Sequence, residues 1–245
     1  MVALPSKLRA AGLHLCVTIA TALMVWQLIL FWYPGELINV MNGVAIYKIL
    51  MVVELALGPL MSIIIYAPSK SLKELCIDYC IVGLIQLSAL AYGLFTIAEA
   101  RPSFLVLARD RIEIVRPIDI DKKNLTDVSG SQFELSVFSS VRSVCVNLPA
   151  DTNERRALLM SALSGNDIHR LPKYYRDCAP NEWRKGAKSL SLLFSKMDLV
   201  RKFNGAKFDT DRCGWYQLTA PTAVKTAVVC EESNVVTHYL DFDPQ

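Results

Sequence analysis

The sequence lacks the features by which nucleic-acid-binding proteins are recognised. It has no long tract of lysine or arginine and no aromatic stacking motif of the kind found in RNA-binding domains. The formal net charge is only +3, from 26 basic and 23 acidic residues. Internal repeats and low-complexity tracts are also missing. A charge this small and scattered excludes nucleic acid as an expected partner.

The common signatures of catalysis and metal binding are missing as well. No GxGxxG or Walker loop, GxSxG elbow, HExxH motif or CxxC pair occurs. Histidine is scarce, with three in 245 residues. We predict His238 on a strand surface, His169 in solvent beyond a helix end, and a solvated loop for Asp119, Asp121 and Asp127. The sequence therefore predicts a non-enzymatic protein with no cofactor and no metal.

Apolar residues are abundant, by contrast, at 53% of the chain with a mean hydropathy of +0.32. They crowd into roughly the first hundred positions. Three segments there, about 11–33, 44–66 and 79–98, match the ~20 apolar residues that a bilayer core requires. The first is longer than the apolar part of a signal peptide and ends in bulky FWYP, so we interpret it as a retained anchor. We predict a membrane domain over 1–101 and a second domain over 102–245.

The charges beside these segments predict their orientation. Lys7 and Arg9 precede the first span, and Lys70 and Lys73 lie between the second and third. The loop after the first span carries only Glu36. By the positive-inside rule the N-terminus is cytoplasmic. Three crossings then place the C-terminal domain on the opposite side of the membrane from the N-terminus.

The C-terminal part has the pattern of a small α+β domain with a mainly antiparallel sheet. Runs at 104–107 and 112–115 are β-prone and joined by an Arg-Asp-Arg turn, which predicts a hairpin. A strand at 143–148 precedes a helix that Asp151 caps and Gly165 ends. We predict a second helix over about 182–200. Three further strands, WYQLT, AVKTAVVC and VVTHYLDF, complete the domain.

Cysteine usage fits an oxidising compartment for this domain. An even number suits disulfides, whereas zinc ligands would be more regularly spaced; free buried thiols remain an alternative. Of the seven cysteines in the chain, four lie in this domain: Cys145, Cys178, Cys213 and Cys230.

Hairpin geometry predicts how these cysteines pair. A proline turn over residues 220–223 places Thr219 opposite Val224. Counting outward from that pair puts Cys213 directly opposite Cys230, within reach of a disulfide. By elimination we predict Cys145–Cys178 as the second bond.

One carboxylate interrupts the second apolar segment, where an isolated charge is costly. Glu54 lies near the midpoint of that span, so it should be protonated, paired or turned toward a bundle interior. Gly58 shares its helical face and permits close approach. Pro59 frees the carbonyl of Leu55 and should kink the helix. We predict that Glu54, Leu55 and Gly58 form one narrow polar patch, next to Pro59.

Gln86 in the third span lies at a similar depth to Glu54. Three roles are open for the patch. Gln86 could hydrogen-bond Glu54 and simply hold the bundle together. The patch could instead receive a helix of another membrane protein. A role in ion movement is the third possibility.

Several segments together resemble the type IV pilin accessory protein family (the TfpX/TfpZ group). Distinctive clusters within them are LGP, QLxALxYGL and ARPxxLVxxxDR. The resemblance covers nearly the full length and rests on FWYPGEL, VELALGPLMSIIIYAPSKSLK, LIQLSALAYGLFTIAEARPSFLVLARDRIEIV, NLPADTNERRALLMSALSG, LPKYYRD and HYLDFDPQ.

The resemblance implies a protein of the bacterial inner membrane with three spans, a cytoplasmic N-terminus and a periplasmic C-terminal domain. It also implies a chaperone-like accessory factor whose partners are a cognate type IV major pilin and the lipid bilayer. The patch would then receive the pilin's N-terminal helix, which carries its own glutamate and a free amine. Glu54 could accept a hydrogen bond from that amine or share a proton with that glutamate. The four cysteines are not implied by the resemblance. The competing expectation is a membrane-anchored periplasmic enzyme that modifies pilin or envelope.

Overall fold

The computed structural model describes residues 3–121, 130–195, 211–221, 223–230, 234–241 and 243. The chain divides into two compact units. One contains Met1–Trp32 and Asn42–Glu99, and the other contains Tyr33–Met41 and Ala100–Gln245. The segment Tyr33–Met41, which joins the first two long helices, thus belongs with the C-terminal sheet.

The first unit is built from helices long and apolar enough to cross a membrane. The three candidate spans are Leu4–Trp32, Gly43–Ile65 and Leu72–Ala100, with mean hydropathies of 2.0, 2.1 and 1.9. The three predicted transmembrane helices are therefore confirmed, although the first and third begin earlier than the sequence suggested. The helices here are α1 (Ala3–Trp32), α3 (Gly43–Leu55), α4 (Met61–Ile65) and α5 (Leu72–Ala100), with a short α2 (Leu37–Val40) in the other unit.

The second span contains a π-helical turn, Ala56–Leu60, with Pro59 inside it. Proline has no N–H to donate, and its ring clashes with the carbonyl four residues earlier in a regular α-helix. A wider turn relieves that clash, and such turns are frequent at functional sites. The predicted local distortion at Pro59 is thus a single π turn between α3 and α4.

The second unit is a mixed sheet with short helices. Its strand order is β4-β3-β1-β2-β6-β7-β8, and β5 also pairs with β6. Five of the seven described pairings are antiparallel, which confirms the predicted α+β class. The strands are β1 (Phe104–Ala108), β2 (Arg111–Val115), β3 (Arg142–Val146), β4 (Tyr175–Arg176), β5 (Lys188–Ser189), β6 (Cys213–Thr219), β7 (Val224–Cys230) and β8 (Val236–Leu240).

Helix α6 (Thr152–Leu163) begins and ends where the sequence predicts. The Asp151 carboxylate accepts the N–H of Glu154 at 2.8 Å, which is a side-chain N-cap. At the other end the N–H groups of Gly165 and Asn166 reach back to carbonyls of the last turn. Gly165 has φ of +89°, the left-handed conformation that this C-cap needs.

The predicted helix over 182–200 is wrong. The structure has a short α7 (Glu182–Gly186), then β5, then α8 (Leu190–Ser195); residues 196–200 lie outside the described residues. Gly186 lies against Tyr216, where a Cβ would come within 2.6 Å of the phenolic oxygen. Pairing of Lys188 with Trp215 draws the chain into the sheet, so tertiary contact overrides the helical pattern.

Apolar side chains of the segment Tyr33–Met41 are buried in the second unit. Tyr33 is 1% exposed and Leu37 is 2% exposed. The carboxylate of Glu36 accepts the backbone N–H of Tyr239, on β8, at 2.9 Å. Burial raises the pKa of Tyr33 to about 12, against the opposing charges of Arg101 and Arg116. This loop is therefore a structural element of the sheet unit.

The strand registers define two ends of the sheet. Phe104 pairs with Val115 and with Arg142, so the start of β1, the end of β2 and the start of β3 lie together. We call this the near end, because Phe104 follows shortly after Ala100, the last residue of the third candidate span. The β1–β2 turn at Arg109 and Asp110 marks the far end.

The structure contains both predicted disulfides, Cys145–Cys178 and Cys213–Cys230. The β6–β7 register pairs Thr219 with Val224 and Cys213 with Cys230, as hairpin counting predicts. The turn is closed by the N–H of Ala220 donating to the carbonyl of Ala223 at 3.0 Å.

Candidate functional site

A polar cluster lies inside the helical unit, around the glutamate that interrupts the second span. Glu54 is on α3 and only 5% exposed. The side chains near it come from the other two long helices and from α4: Gln86 on α5, His14 on α1 and Ser62 on α4. All three candidate spans therefore contribute to one polar site.

Hydrogen bonds connect these side chains in a chain. His14 Nε2 lies 3.0 Å from Gln86 Oε1, and His14 Nδ1 lies 2.7 Å from Ser62 Oγ. An amide oxygen can only accept, so Nε2 donates to it, and in a neutral ring Nδ1 then accepts from the Ser62 hydroxyl. The Gln86 amide nitrogen remains to donate to Glu54, its hydrogen-bond partner.

One atom in this cluster is not satisfied. Glu54 Oε1 is buried and has no hydrogen-bond partner within the described part of the chain. A buried acceptor without a donor is costly and is rare in folded proteins. The cluster can therefore accept one more hydrogen bond, or hold a proton on this oxygen.

Gly58 explains how the cluster fits between the helices. A Cβ at this position would lie 2.9 Å from Gln86 Nε2 and 3.1 Å from the His14 ring. Both Gly58 and Pro59 are buried, whereas the side chain of Leu55 is 49% exposed. Of the five residues predicted for this site, Glu54, Gly58 and Gln86 lie together, Pro59 shapes the turn, and the Leu55 side chain points away.

Sequence reasoning missed two members of the site, His14 and Ser62. The signal for His14 was present, because an ionisable side chain within an apolar span is rare and usually faces the protein interior. Ser62 gave no such signal, since serine is common in membrane helices. Only the packing of α1 against α4 shows that the two side chains meet.

A second polar group lies in the sheet unit, in a cleft of about 180 Å³. Arg116 there donates twice to the carboxylate of Asp119, at 2.8 and 2.7 Å. Burial alone would raise the pKa of Asp119, but these bonds and that of the Arg116 backbone hold it below its ordinary value. The prediction of a solvated Asp119 is wrong, because the side chain is 14% exposed and ion-paired.

His169 lines the same cleft, so its predicted position in solvent is also wrong. Its side chain is 14% exposed, because the turn after α6 packs against β1 and β2. Burial lowers the pKa of this imidazole, against the nearby charges of Glu113 and Asp167. His238, by contrast, lies exposed on β8 as predicted.

A cluster with metal-ligand spacing does not have the chemistry of a metal site. It consists of Cys145, Cys178 and Glu182. The two sulfurs are joined in a disulfide, so they are not the thiolates that bind zinc. The Glu182 carboxylate already accepts two bonds from Arg176, at 2.8 and 2.5 Å.

Comparison of the sequence with known proteins identifies relatives of this chain. A fimbrial assembly protein of serogroups C1 and C2 from Dichelobacter nodosus is 34% identical over 113 residues. This match covers 46% of the chain and 86% of that relative. The chain belongs to the fimbrial assembly protein family.

Two longer matches extend the family relation along nearly the whole chain. The fimbrial assembly proteins of serogroups E1 and I from the same organism are 26% and 25% identical over 244 residues. Each covers 96% of this chain and 95% of the relative. No protein-family model and no solved structure matches the chain. The sequence similarity therefore extends along both units of this chain.

Proposed function

We propose that this protein is a non-enzymatic accessory factor of the inner membrane that assists a cognate type IV major pilin in pilus assembly. The observation that supports this most is the polar cluster around Glu54, which has an unsatisfied acceptor among three membrane-spanning helices. The relatives named fimbrial assembly proteins support a role in assembly. Their similarity extends over the membrane unit as well as the sheet unit.

The unsatisfied oxygen favours a receiving role for the cluster. The Gln86 bond orients Glu54, and Gly58 leaves space for the His14 and Gln86 side chains. A donor on the pilin's membrane helix, such as its N-terminal amine, would satisfy Glu54 Oε1. A carboxyl group on that helix could instead share the Glu54 proton. The cluster would then hold the pilin helix before its transfer to the growing pilus.

The sheet unit is expected on the periplasmic side, beside the pilin head. Tyr33–Met41 and the sheet form one compact unit, so the first interhelical loop and the C-terminal domain lie on the same side of the membrane. The same arrangement follows from the positive flanks at the N-terminus and at Lys70 and Lys73. The shared unit fits two spans between the loop and the domain, and the charge bias alone predicts that this side is periplasmic.

The competing function, a periplasmic enzyme acting on pilin or envelope, would use the cleft around His169. In this cleft Arg116 pairs with Asp119, and Glu113 accepts from Arg111, which lies outside the cleft, at 2.5 Å. Such pairs fix the cleft's shape rather than prepare a nucleophile or a general base. His169 Nδ1 is buried and has no hydrogen-bond partner in the described part of the chain, so no neighbouring group orients the imidazole. This geometry favours the assembly function.

The test is surface piliation in cells that carry Glu54→Gln. Glutamine keeps the shape of the side chain and the Gln86 contact but cannot hold a negative charge or share a proton. We expect a folded protein at normal abundance, a loss of surface pili of about tenfold or more, and weaker co-purification with pilin. Glu54→Leu should have the same or a greater effect.

The matched control is Leu55→Ala, because Leu55 is adjacent in sequence and its side chain is exposed. That variant should retain both piliation and co-purification. Normal piliation by both Glu54 variants at normal abundance would contradict the proposal. Low abundance of both would show that the cluster serves only to hold the helices together.

A further inference from the structure

A short turn at the near end of the sheet carries two apolar side chains at its tip. The Ser139 N–H donates to the Ser136 carbonyl at 3.0 Å, and the Phe138 N–H donates to Ser136 Oγ at 3.2 Å. Val137 and Phe138 are the central residues and are 46% and 83% exposed. Turn tips usually carry glycine, proline, asparagine, aspartate or serine, so an exposed Val-Phe pair needs an explanation.

The base of this turn is held firmly against the rest of the unit. Phe133, a few residues before it, is 8% exposed and packs edge-on against Tyr175, with ring centroids 6.0 Å apart. The Arg142 guanidinium lies 5.8 Å from the Phe133 ring centre at the start of β3. Packed side chains therefore hold the base of the turn in place, while its tip remains exposed.

The turn is also tied to the point where the chain leaves the third span. Arg101 follows Ala100, the last residue of that span, and is 3% exposed. Its Nη2 donates to the Ser136 carbonyl at 2.9 Å, the same oxygen that closes the turn. Arg101 therefore connects the end of the third span directly to this turn.

A third apolar side chain is exposed at this end of the sheet. Ile118 is 62% exposed in the short 3₁₀ turn (Pro117–Asp119) that follows β2. Val115 and Arg142 both pair with Phe104, so this turn and the 136–139 turn leave the sheet at the same end. Both turns therefore carry exposed apolar side chains at the near end of the sheet.

We propose that the 136–139 turn inserts Val137 and Phe138 into the interfacial layer of the phospholipid bilayer. Apolar side chains gain free energy by entering the boundary between headgroups and acyl chains, about 5–10 Å deep. Continuity with the third span identifies lipid as the occupant, because Arg101 fixes the turn within one hydrogen bond of that helix end. The contact makes a second attachment of the sheet unit to the membrane, and it does not depend on pilin binding.

Fluorescence quenching in the full-length protein tests this contact. Alanine replaces Cys16, Cys76 and Cys80, which are the free cysteines, while both disulfides stay intact. Phe138→Cys then carries a polarity-sensitive fluorophore. The protein is reconstituted in vesicles of phosphatidylethanolamine and phosphatidylglycerol at about 3:1, with nitroxide lipid in both leaflets as one quencher and aqueous iodide as the other.

The matched control is Leu159→Cys on α6. Leu159 is also apolar and exposed, at 64%, but it lines a groove beside the β1–β2 turn at the far end. We expect nitroxide lipid to quench the label at 138 at least about threefold more than the label at 159, and iodide to quench it correspondingly less. Val137→Cys repeats the test at the adjacent tip position if the Phe138 variant misfolds.

Two outcomes would overturn the proposal. Equal quenching by nitroxide lipid at positions 138 and 159 would show that the turn lies in water. Shielding of the 138 label from both quenchers would mean that protein, not lipid, covers the tip.

Discussion

Individual side chains inside the helical unit are arranged so that each polar group supports its neighbour. Ser62 orients His14, His14 orients Gln86, and Gln86 orients Glu54. Each residue would be costly alone in an apolar span, and within this cluster the buried atom left without a hydrogen-bond partner is Glu54 Oε1. A site built in this way is specific, because the position of one group depends on all the others.

Gly58 is the position where this arrangement is most sensitive to volume. Gly58→Ala adds a Cβ within 2.9 Å of Gln86 Nε2, so the Gln86 and His14 side chains must move. We expect a loss of about 1–3 kcal/mol in the free energy of unfolding, measured by denaturation in detergent micelles. Gly83→Ala is the control, since no atom lies within 4 Å of its added Cβ. Equal stability of the two variants would contradict this packing.

Asp119 gives the sheet unit a pH dependence. Its pKa is held below the ordinary 3.8 by Arg116, so the unfolded chain binds a proton more readily than the folded one. The ion pair stabilises the fold above the ordinary pKa, and this contribution is lost as pH falls through the lower, folded-state pKa. Asp119→Asn should therefore lower stability at pH 7 and flatten its decline below about pH 4. Chemical denaturation from pH 2 to 7 measures this, and an unchanged profile would exclude the role.

At the scale of elements, the turn of the β6–β7 hairpin determines where its disulfide forms. Its proline turn sets the register, the register places Cys213 opposite Cys230, and the disulfide closes the far end of the hairpin. Trp215 and Val228 face each other in this hairpin and belong to the same core cluster as Leu190 on α8. The hairpin thus packs against α8.

Removal of the Cys213–Cys230 disulfide should destabilise this part of the sheet. The bond spans 17 residues, and closing a loop of that size contributes about 3 kcal/mol in the chain-entropy model. Alanine at both positions should lower the denaturation midpoint while Cys145–Cys178 remains intact. Non-reducing peptide mapping checks the pairing in the wild type. A Cys213–Cys178 peptide would contradict the structure.

For the whole molecule, the packing of the first loop with the sheet constrains which parts of the chain lie on the same side of a membrane. The loop Tyr33–Met41 is buried with the sheet, so both must lie on one side of the bilayer. This agrees with three spans between a positive N-terminus and the C-terminal domain. Under the proposed function, a pilin's membrane helix would contact the helical unit and its head would contact the sheet unit.

The prediction at this scale is a cytoplasmic N-terminus and a periplasmic C-terminus. Alkaline phosphatase folds to an active form only after export, so its fusion to the C-terminus should be active. Green fluorescent protein at the same position should be dark, and the same reporter at the N-terminus serves as the control. A fluorescent C-terminal fusion with an inactive phosphatase fusion would reverse the proposed orientation.

The sequence by itself determined those features that depend on local pattern. Apolar length predicted the three spans, alternation and turns predicted most strands, and counting from the Pro221 turn predicted the Cys213–Cys230 pair. The capped helix after Asp151 also follows from local hydrogen bonding. Each rests on a spacing of a few residues, which the sequence contains directly.

Tertiary structure alone decided what depends on distant contacts. The stretch 182–200 has a helical pattern, but pairing with β6 interrupts it at Lys188. His14 and Ser62 are 48 positions apart and meet only because α1 packs against α4. The same holds for Glu36 and Tyr239, which are 203 positions apart. Such pairs are specified by the packing of whole elements, because a side chain's sequence neighbours do not determine which distant surface it will meet.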